Sequence, residues 1–377
     1  MEQDLKAGRR FGGRVVATAV GVLLAGTVLE AALRWFPIPA VELHRRGPVR
    51  YQDQQRFFLY DPELGWRGRP QAEGDFSGWE FTTRVHLNAE GFRGQPVPEQ
   101  RSPAHRRILV FGDSITWGYG VEEGERFSDL LSGLLSSRGV QVEVLNVAVN
   151  GYDTGQELLL YRRIGMRSCA DLVIVGLYEN DLRESVSAWQ GPYAKPYFQV
   201  VRDRLELTNV PVPQADWARL QEDQRTELKR WLREYVRLYA LAAWARETLR
   251  SLLAPSPSVP TADEPGMLVT ARLLRQFQQE VTEAGSRFAV VLLPDHRVLE
   301  QGDGGALRRV ATAAGIEVTL DLAPRFWEVP LEQRRRLFYR LDGAHWTREG
   351  HALAARHLAA FIQEAKLLEG PVPCGSA

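Results

Sequence analysis

From residue 106 onward, short uninterrupted apolar runs alternate with segments in which apolar residues recur every three or four positions. Five runs have the composition of strands buried on both faces of a parallel sheet: 108–111, 142–149, 172–177, 288–293 and 316–320. Four segments have helical spacing: 127–135, 154–163, 268–284 and 349–367. Because strands that alternate with helices form βα units, the sequence predicts an α/β domain with a three-layer, doubly wound parallel sheet.

The first predicted strand ends in Gly112-Asp113-Ser114, before the first predicted helix. A strand that ends there places the Ser114 hydroxyl at the carboxyl edge of the sheet, which is where open α/β folds bind their ligands. Ser114 is therefore a candidate nucleophile. The alternative is that Ser114 only caps the following helix, as serine and aspartate often do.

A candidate base follows much later in the chain. Acyl transfer requires a nucleophile, a base, a group that orients the base, and donors for the oxyanion. Asp342 and His345 lie in the loop before the last predicted helix, separated by two residues, so the carboxylate can hold one ring nitrogen while the other faces Ser114. A histidine in a loop beside a helix start is more often a structural residue than a catalytic base. His296 is the other candidate base but lacks this spacing, and His351 is expected to pack or cap in the last helix.

Two further strand ends offer donors for an oxyanion. The run at 142–149 leads to Gly151, whose exposed backbone N–H can point at an oxyanion, and the run at 172–177 leads to the side-chain amide of Asn180. Taken singly, Gly151 is usually a turn residue and Asn180 a turn or cap residue. Their convergence with Ser114 at one sheet edge is more specific than any single position.

The segment 106–367 resembles the SGNH (GDSL) hydrolase family, although the predicted insertion matches poorly. Gly112-Asp113-Ser114 fits the first sequence block of the family, Asn-Val-Ala-Val-Asn-Gly at 146–151 fits the second, and Asp-Gly-Ala-His at 342–345 fits the last. The third block is usually Gly-x-Asn-Asp. Here it is Tyr-Glu-Asn-Asp at 178–181, which keeps the asparagine and loses the glycine.

The resemblance implies a role for each candidate residue. Ser114 would be the nucleophile, His345 the base and Asp342 the group that orients the base. The oxyanion would be held by the backbone N–H of Ser114, the backbone N–H of Gly151 and the side chain of Asn180. The resemblance implies no metal and no organic cofactor.

Composition and motifs narrow the possible partners. The chain has 47 basic and 47 acidic residues and no basic stripe interleaved with aromatic residues, so nucleic acid is not an expected partner. With two cysteines, Cys169 and Cys374, a disulfide framework and a cysteine zinc cluster are excluded; we expect two unpaired thiols, with a single bridge as the alternative. No HExxH motif occurs. The glycines at 118, 120 and 124 miss the dinucleotide-binding spacing by one position.

The N-terminal residues predict a membrane anchor. Basic residues in 1–14 precede an apolar segment at 15–33, which as a helix would be roughly 28 Å long, close to the hydrocarbon thickness of a bilayer. Trp35 and Phe36 are typical of an interfacial anchor. We expect a cytoplasmic tail at 1–14 and an uncleaved transmembrane helix at 15–36. A cleaved signal peptide is the alternative, but no clear small-x-small site follows the apolar run.

The rest of the chain is organised around the α/β domain. Residues 37–105, rich in proline, glycine, arginine and aromatic residues, are expected to form an accessory segment packed on that domain. The hydrolase-like domain is predicted at 106–368, with an insertion at about 185–265 that contains a hairpin and a helix at 223–253. Residues 369–377 are a predicted tail.

Three functions are compatible with these features. The first is a membrane-anchored serine esterase that acts outside the cytoplasm on acyl esters of a carbohydrate or lipid. The second is an O-acyltransferase that passes an acyl group to sugars of the cell envelope or of an exopolysaccharide. The third is a non-catalytic glycan-binding accessory protein, against which the full set of candidate site residues argues.

Overall fold

The computed structural model describes residues 2–46, 55–97, 105–137, 139–191, 193–214, 224–253, 264–301 and 305–370. The chain forms two compact units. The first consists of Met1–Pro48 and Glu222–Val259, and the second of Val49–Gln221 and Pro260–Ala377.

The strands in chain order are β1 (Phe58–Asp61), β2 (Gly65–Gly68), β3 (Glu73–Ser77), β4 (Thr82–His86), β5 (Arg106–Gly112), β6 (Val142–Asn146), β7 (Leu172–Leu177), β8 (Trp189–Gln190), β9 (Tyr193–Ala194), β10 (Tyr197–Val201), β11 (Arg204–Thr208), β12 (Arg287–Leu292) and β13 (Thr319–Asp321). The helices are α1 (Glu2–Trp35), α2 (Pro39–Arg46), α3 (Ser114–Trp117), α4 (Phe127–Ser136), α5 (Thr154–Ile164), α6 (Asp181–Glu184), α7 (Gln224–Tyr235), α8 (Arg237–Leu253), α9 (Glu264–Glu283), α10 (His296–Gln301), α11 (Gly305–Ala314), α12 (Ala323–Trp327), α13 (Leu331–Arg334) and α14 (Arg348–Glu364).

The second unit is built on a five-stranded sheet in the order β13-β12-β7-β5-β6, in which every neighbouring pair is parallel. Successive residues of a strand face opposite sides of the sheet. Leu109 and Phe111 of β5 therefore pack with α5, α9 and α11 on one face, whereas Ile108 and Val110 pack with α4 and α14 on the other. The predicted three-layer, doubly wound α/β fold is confirmed.

Individual boundaries differ slightly from the predictions. β7 spans the predicted residues 172–177, but β6 ends at Asn146, three residues before the predicted end at 149. Beyond the end of β6 the N–H groups of Val147 and Val149 still donate to the carbonyls of Val110 and Gly112 of β5, at 3.0 and 3.2 Å, so the predicted run keeps its place at the edge of the sheet up to 149.

The first unit contains α1, α2, α7 and α8. Within α1, Arg14–Trp35 is a 22-residue stretch with a mean hydropathy of 2.0, long and apolar enough for a membrane anchor or a signal sequence. The Glu30 carboxylate accepts the N–H of Arg237 at 3.1 Å and of Leu238 at 2.9 Å. A carboxylate stabilises a helix N-terminus, so a new helix, α8, begins at Arg237. The helix predicted at 223–253 is therefore two helices, α7 and α8.

Hairpins from the predicted accessory segment belong to the core of the second unit. β1 pairs with β2 and β3 with β4, both antiparallel. Six aromatic residues of this segment share the hydrophobic cluster of Phe111: Phe57, Phe58, Trp66, Phe76, Phe81 and Phe92. The insertion contributes β8 to β11 to this unit. The predicted domain boundaries stay a prediction, and most of the predicted tail at 369–377 lies outside the described residues.

The expectation of two unpaired thiols is wrong, because Cys169 is disulfide-bonded. The other cysteine, Cys374, lies outside the described residues. A disulfide needs two Cα atoms within about 7 Å of each other, which the separation of two residues in sequence does not reveal.

Candidate active site

Ser114, His345 and Asp342 form a continuous hydrogen-bonded chain. The Nε2 atom of His345 lies 2.7 Å from the Ser114 Oγ, and its Nδ1 lies 2.7 Å from the Asp342 Oδ1. An imidazole that donates Nδ1–H to a carboxylate presents an unprotonated Nε2, which can accept a hydroxyl proton. The structure thus brings the three residues together in the order that general-base catalysis requires.

The loop before α14 holds Asp342 as a carboxylate. Besides the imidazole, its Oδ1 accepts the N–H of Ala344 and the N–H of His345, each at 3.1 Å. Burial alone would raise the pKa of Asp342, but His345 and these two N–H groups outweigh it and hold the pKa below its usual value. Asp342 therefore stays ionised next to the imidazole.

Ser114 is the first residue of α3 and does not cap that helix. The cap is Asp113, whose Oδ1 accepts the N–H of Ile115 at 2.9 Å. Since the neighbouring aspartate has this role, the hydroxyl of Ser114 remains for His345. The side chain of Ser114 is partly exposed, whereas Asp113 is buried.

A cavity of about 260 Å³ opens beside Ser114, and its lining includes His345, Asn150 and Gly151. Gly151 has φ of +81°, a left-handed conformation that favours glycine, and a Cβ there would lie 2.9 Å from the Gln190 Oε1. A side chain at position 151 would thus be strained and would collide with Gln190. The absence of a side chain leaves this backbone close to the cavity.

Asn180 follows β7, at the same sheet edge as Ser114, but its side chain contacts a residue the sequence did not indicate. Its Nδ2 donates to the Glu184 Oε2 at 3.1 Å, while its buried Oδ1 has no hydrogen-bond partner among the described residues. The described residues that line the cavity do not include Asn180. One amide N–H is engaged by Glu184, and the amide has a second.

The other two histidines considered from the sequence are not part of this hydrogen-bonded chain, although the backbone N–H of His296 donates to the Gly343 carbonyl, between Asp342 and His345, at 3.0 Å. The His296 ring packs edge-on to Phe338, with centroids 6.0 Å apart. His351 is buried in α14, where its Nδ1 accepts the N–H of Phe127 at 3.3 Å. Burial, reinforced by Arg126 and a second arginine, lowers the pKa of His351 to about 3, so its imidazole is neutral at any ordinary pH.

Four buried acidic side chains near the same strand ends have raised pKa values, namely Asp113, Glu157, Asp181 and Glu184. Burial raises the pKa of Asp113 to about 6, and burial together with Asp153 raises that of Glu184 to about 8. Burial and the charge of Asp181 raise the pKa of Glu157 above its ordinary value. Spacing in the sequence gives no sign of these groups, because their separation along the chain hides their proximity.

Aromatic residues of the cavity were also missed. Phe58 and Trp66 come from the first hairpin, and Tyr193 comes from β9 in the insertion. The Trp66 Nε1 donates to the Asn150 carbonyl at 3.1 Å, which ties the hairpin to the loop that leads into Gly151. The only sequence signal for this aromatic part of the cavity lining was an irregular segment rich in aromatic residues.

Comparison with known proteins gives one curated relative and several solved structures. An arylesterase of Vibrio mimicus is 32% identical over 80 residues, which are 21% of this chain and 40% of that protein, so the match spans less than half of the relative. The lipase/acylhydrolase from Enterococcus faecalis is 14% identical, with a TM-score of 0.39 over 72% of this chain and 100% of that one. The psychrotrophic esterase EstA from Pseudoalteromonas sp. is 10% identical, with a TM-score of 0.38 over 69% and 98%.

A family profile covers more of the chain. The profile described as the GDSL-like Lipase/Acylhydrolase family matches residues 110–353, which is more than half of the 377 residues. The matched region includes every residue of the hydrogen-bonded chain at Ser114, together with Gly151 and Asn180. The protein therefore belongs to the GDSL-like lipase/acylhydrolase family.

Proposed function

We propose that the protein is a serine esterase that hydrolyses short acyl esters of a carbohydrate or lipid outside the cytoplasm. The observation that carries this proposal is the chain of two 2.7 Å contacts from Ser114 through His345 to Asp342, which ends at an open cavity. The family of the chain supports ester hydrolysis as the reaction.

In the proposed mechanism, the Ser114 Oγ attacks the carbonyl carbon of the ester while its proton passes to the His345 Nε2. Asp342 accepts the Nδ1–H and stabilises the imidazolium. The tetrahedral intermediate then expels the alcohol, which takes the proton from Nε2. Water attacks the resulting acyl-serine, His345 accepts the proton of the water and returns it to Ser114, and the carboxylic acid leaves.

The negative charge of the intermediate needs donors that are already in place. We assign them to the backbone N–H groups of Ser114 and Gly151 and to the side-chain amide of Asn180. Ser114 and Gly151 line the cavity. Glu184 holds one N–H of the Asn180 amide, and the other would face the oxyanion.

Removing the Asn180 amide tests this assignment. Loss of one oxyanion donor costs on the order of 100- to 1,000-fold in turnover, so Asn180→Ala is expected to lower kcat by that factor and to change KM little. Steady-state kinetics on an aryl acetate measure both constants. An effect confined to KM would instead make Asn180 a residue that positions substrate.

The size and lining of the cavity support a short acyl group on a hydroxylated alcohol. At about 260 Å³ the cavity lies below the 300 to 1,000 Å³ typical of sites for drug-sized ligands. Phe58 and Trp66 offer apolar surface, and Gln190 and Asn150 offer polar groups. An acetyl group against the aromatic wall, with a polar alcohol toward the mouth, suits this combination.

An acyl-chain series tests the proposed function. The purified full-length chain in detergent is expected to hydrolyse p-nitrophenyl acetate and butyrate far faster than the octanoate, as followed by release of nitrophenolate. Adding a free sugar as an acceptor distinguishes hydrolysis from transfer, because a transferase would yield the acylated sugar instead of the free acid. Absence of both products from every ester would refute the proposal.

Two observations support a position outside the cytoplasm. The apolar stretch Arg14–Trp35 follows a basic N-terminal segment, and Cys169 is disulfide-bonded, which is typical of oxidising compartments. The full chain is expected to stay with membranes through a high-salt wash, and a chain that begins near Val41 to be soluble. Release of the full chain by salt alone would argue against a spanning helix.

A further inference from the structure

Tyr119 lies directly against the imidazole of His345. The two ring centroids are 3.9 Å apart and the ring planes differ by 21°, so the rings are stacked face to face. The backbone of Tyr119 is fixed as well, since its N–H donates to the Ser114 carbonyl at 2.9 Å. Gly118, with φ of +89°, makes the turn after α3 that brings Tyr119 to this position. Tyr119 therefore contacts both the nucleophile residue and the ring of the base.

The Tyr119 ring also packs against the hairpin of β3 and β4. The ring of Phe76 lies 5.4 Å from that of Tyr119 at an interplanar angle of 85°, and the ring of Phe81 lies 5.1 Å away at 73°. These are edge-to-face contacts, the arrangement that aromatic pairs prefer. With His345 on one side and two phenylalanines on the others, Tyr119 has little room to rotate.

The hairpin and the residues that follow it also form hydrogen bonds with the segment that carries Tyr119 and with the loop that carries His345. The Glu80 Oε2, at the tip of the hairpin, accepts the N–H of Leu341 at 2.6 Å, next to Asp342. Arg93, which is buried and follows the hairpin, donates to the carbonyls of Gly118 and Val121 at 2.6 Å each. Residues 73–93 thus hold the segment that carries Tyr119 and the loop that carries Asp342 and His345.

We propose that Tyr119 is a positioning residue for His345 and that the β3–β4 hairpin keeps it in place. The hairpin thereby has a role in catalysis without contacting substrate. This inference rests on the proposed function, in which His345 is the base. It gives the predicted accessory segment a specific task, which is to set the orientation of the catalytic imidazole.

The stack acts on His345 in two ways. It blocks rotation of the imidazole away from the line between Asp342 and Ser114, and a misplacement of about 1 Å can cost on the order of 100-fold in rate. The face of the phenol ring also attracts a cation, so it favours the imidazolium formed when Ser114 attacks. Among the described residues, the titratable groups that interact electrostatically with His345 include Asp342 on its own loop, Asp113 directly after β5 and His351 in α14.

Two substitutions of Tyr119 separate positioning from simple packing. Tyr119→Phe keeps the stacked ring and is expected to keep kcat within about threefold of the wild type. Tyr119→Leu keeps apolar bulk but loses the ring, and kcat on p-nitrophenyl acetate is expected to fall by about tenfold to 100-fold. Because Tyr119 also lines the cavity beside Ser114, the effect on His345 is read from kcat and not from KM. Phe81→Leu, one layer further out, is expected to give a smaller loss of the same kind.

The pH dependence of kcat provides a readout that a packing defect would not move. Without the ring face, the imidazolium of His345 is less favoured and the base becomes neutral at lower pH. The rising limb of the profile in Tyr119→Leu is therefore expected to lie about half a pH unit or more below that of Tyr119→Phe. An unshifted limb together with unchanged kcat in Tyr119→Leu would overturn the inference.

A control variant accounts for lost stability. Phe277 packs against Phe111 and Tyr161 in the same hydrophobic cluster, without an aromatic contact to Tyr119 or His345 among the described residues. Phe277→Leu is expected to lower the thermal midpoint as Tyr119→Leu does, with kcat near that of the wild type. An equal loss of kcat in both variants would reduce Tyr119 to a packing residue. If the wild type and His345→Ala turned over equally, the proposed function would fail first.

Discussion

Replacement of Ser114 by alanine is expected to abolish ester hydrolysis while the chain still folds. Removing the nucleophile of a catalytic triad costs on the order of a millionfold in turnover, and what remains comes from binding and the oxyanion donors. The fold should persist because the side chain of Ser114 is partly exposed and the helix cap is supplied by Asp113. No buried volume or cap is lost with the hydroxyl.

A fluorophosphonate probe, which bonds covalently to an activated serine, measures this directly. The wild type is expected to be labelled and Ser114→Ala to remain unlabelled. Ser137→Ala is a matched control, because Ser137 is exposed at the end of α4 and its hydroxyl donates only to the Leu134 carbonyl there. It should be labelled like the wild type. Labelling that persisted in Ser114→Ala would place the nucleophile at another residue.

Replacement of His345 by alanine is expected to cause a loss similar to that of Ser114→Ala, because members of such a unit fail together rather than additively. In the wild type, activity should rise with pH, since a histidine, with an ordinary pKa of about 6.5, must be neutral to accept the serine proton. Asp342→Asn is expected to cost on the order of 10,000-fold and to alter the pH profile, because an amide no longer fixes the tautomer. Initial rates of ester hydrolysis, measured between pH 5 and 9 for the wild type and the two variants, test these expectations.

His351 provides the control for a histidine that has no part in catalysis. Its imidazole is buried, accepts the N–H of Phe127, and stays neutral at every pH of the assay because its pKa is lowered to about 3. His351→Ala is expected to lower the thermal midpoint and to leave the shape of the pH profile unchanged. Activity lost in His351→Ala or His296→Ala and retained in His345→Ala would mean that the base has been misidentified.

The central sheet was predictable because its strands are buried on both faces. Burial on both faces demands unbroken apolar runs such as Leu172–Leu177, and these stand out from the helical spacing of the segments between them. The division between α7 and α8 was not predictable. It depends on the Glu30 carboxylate, about 200 positions earlier in the sequence, and periodicity within a segment carries no information about such a distant partner.

The residue types of the candidate site could be predicted from the sequence for a similar reason. Parallel strands end at one edge, so polar residues that follow several strands must lie near one another, and Ser114 after β5 and Asn150 after β6 line the same cavity. The contact between Asn180 and Glu184 and the stack of Tyr119 on His345 could not be read in this way. Side-chain orientation in a loop is set by its packing partners, and those of Tyr119 come from the β3–β4 hairpin, in a segment without a clear periodic pattern.

Because buried acids have raised pKa values, their contribution to stability and the proposed catalysis depend on pH in opposite directions. A carboxyl group whose pKa rises on folding contributes most below its ordinary pKa, here 3.8 for Asp113 and 4.5 for Glu184, and that contribution fades as pH climbs through about 6 and about 8. Turnover by a neutral imidazole grows over the same interval. The contribution of these two carboxyl groups to the stability of the fold would therefore be largest at a lower pH than the one at which the proposed base works best.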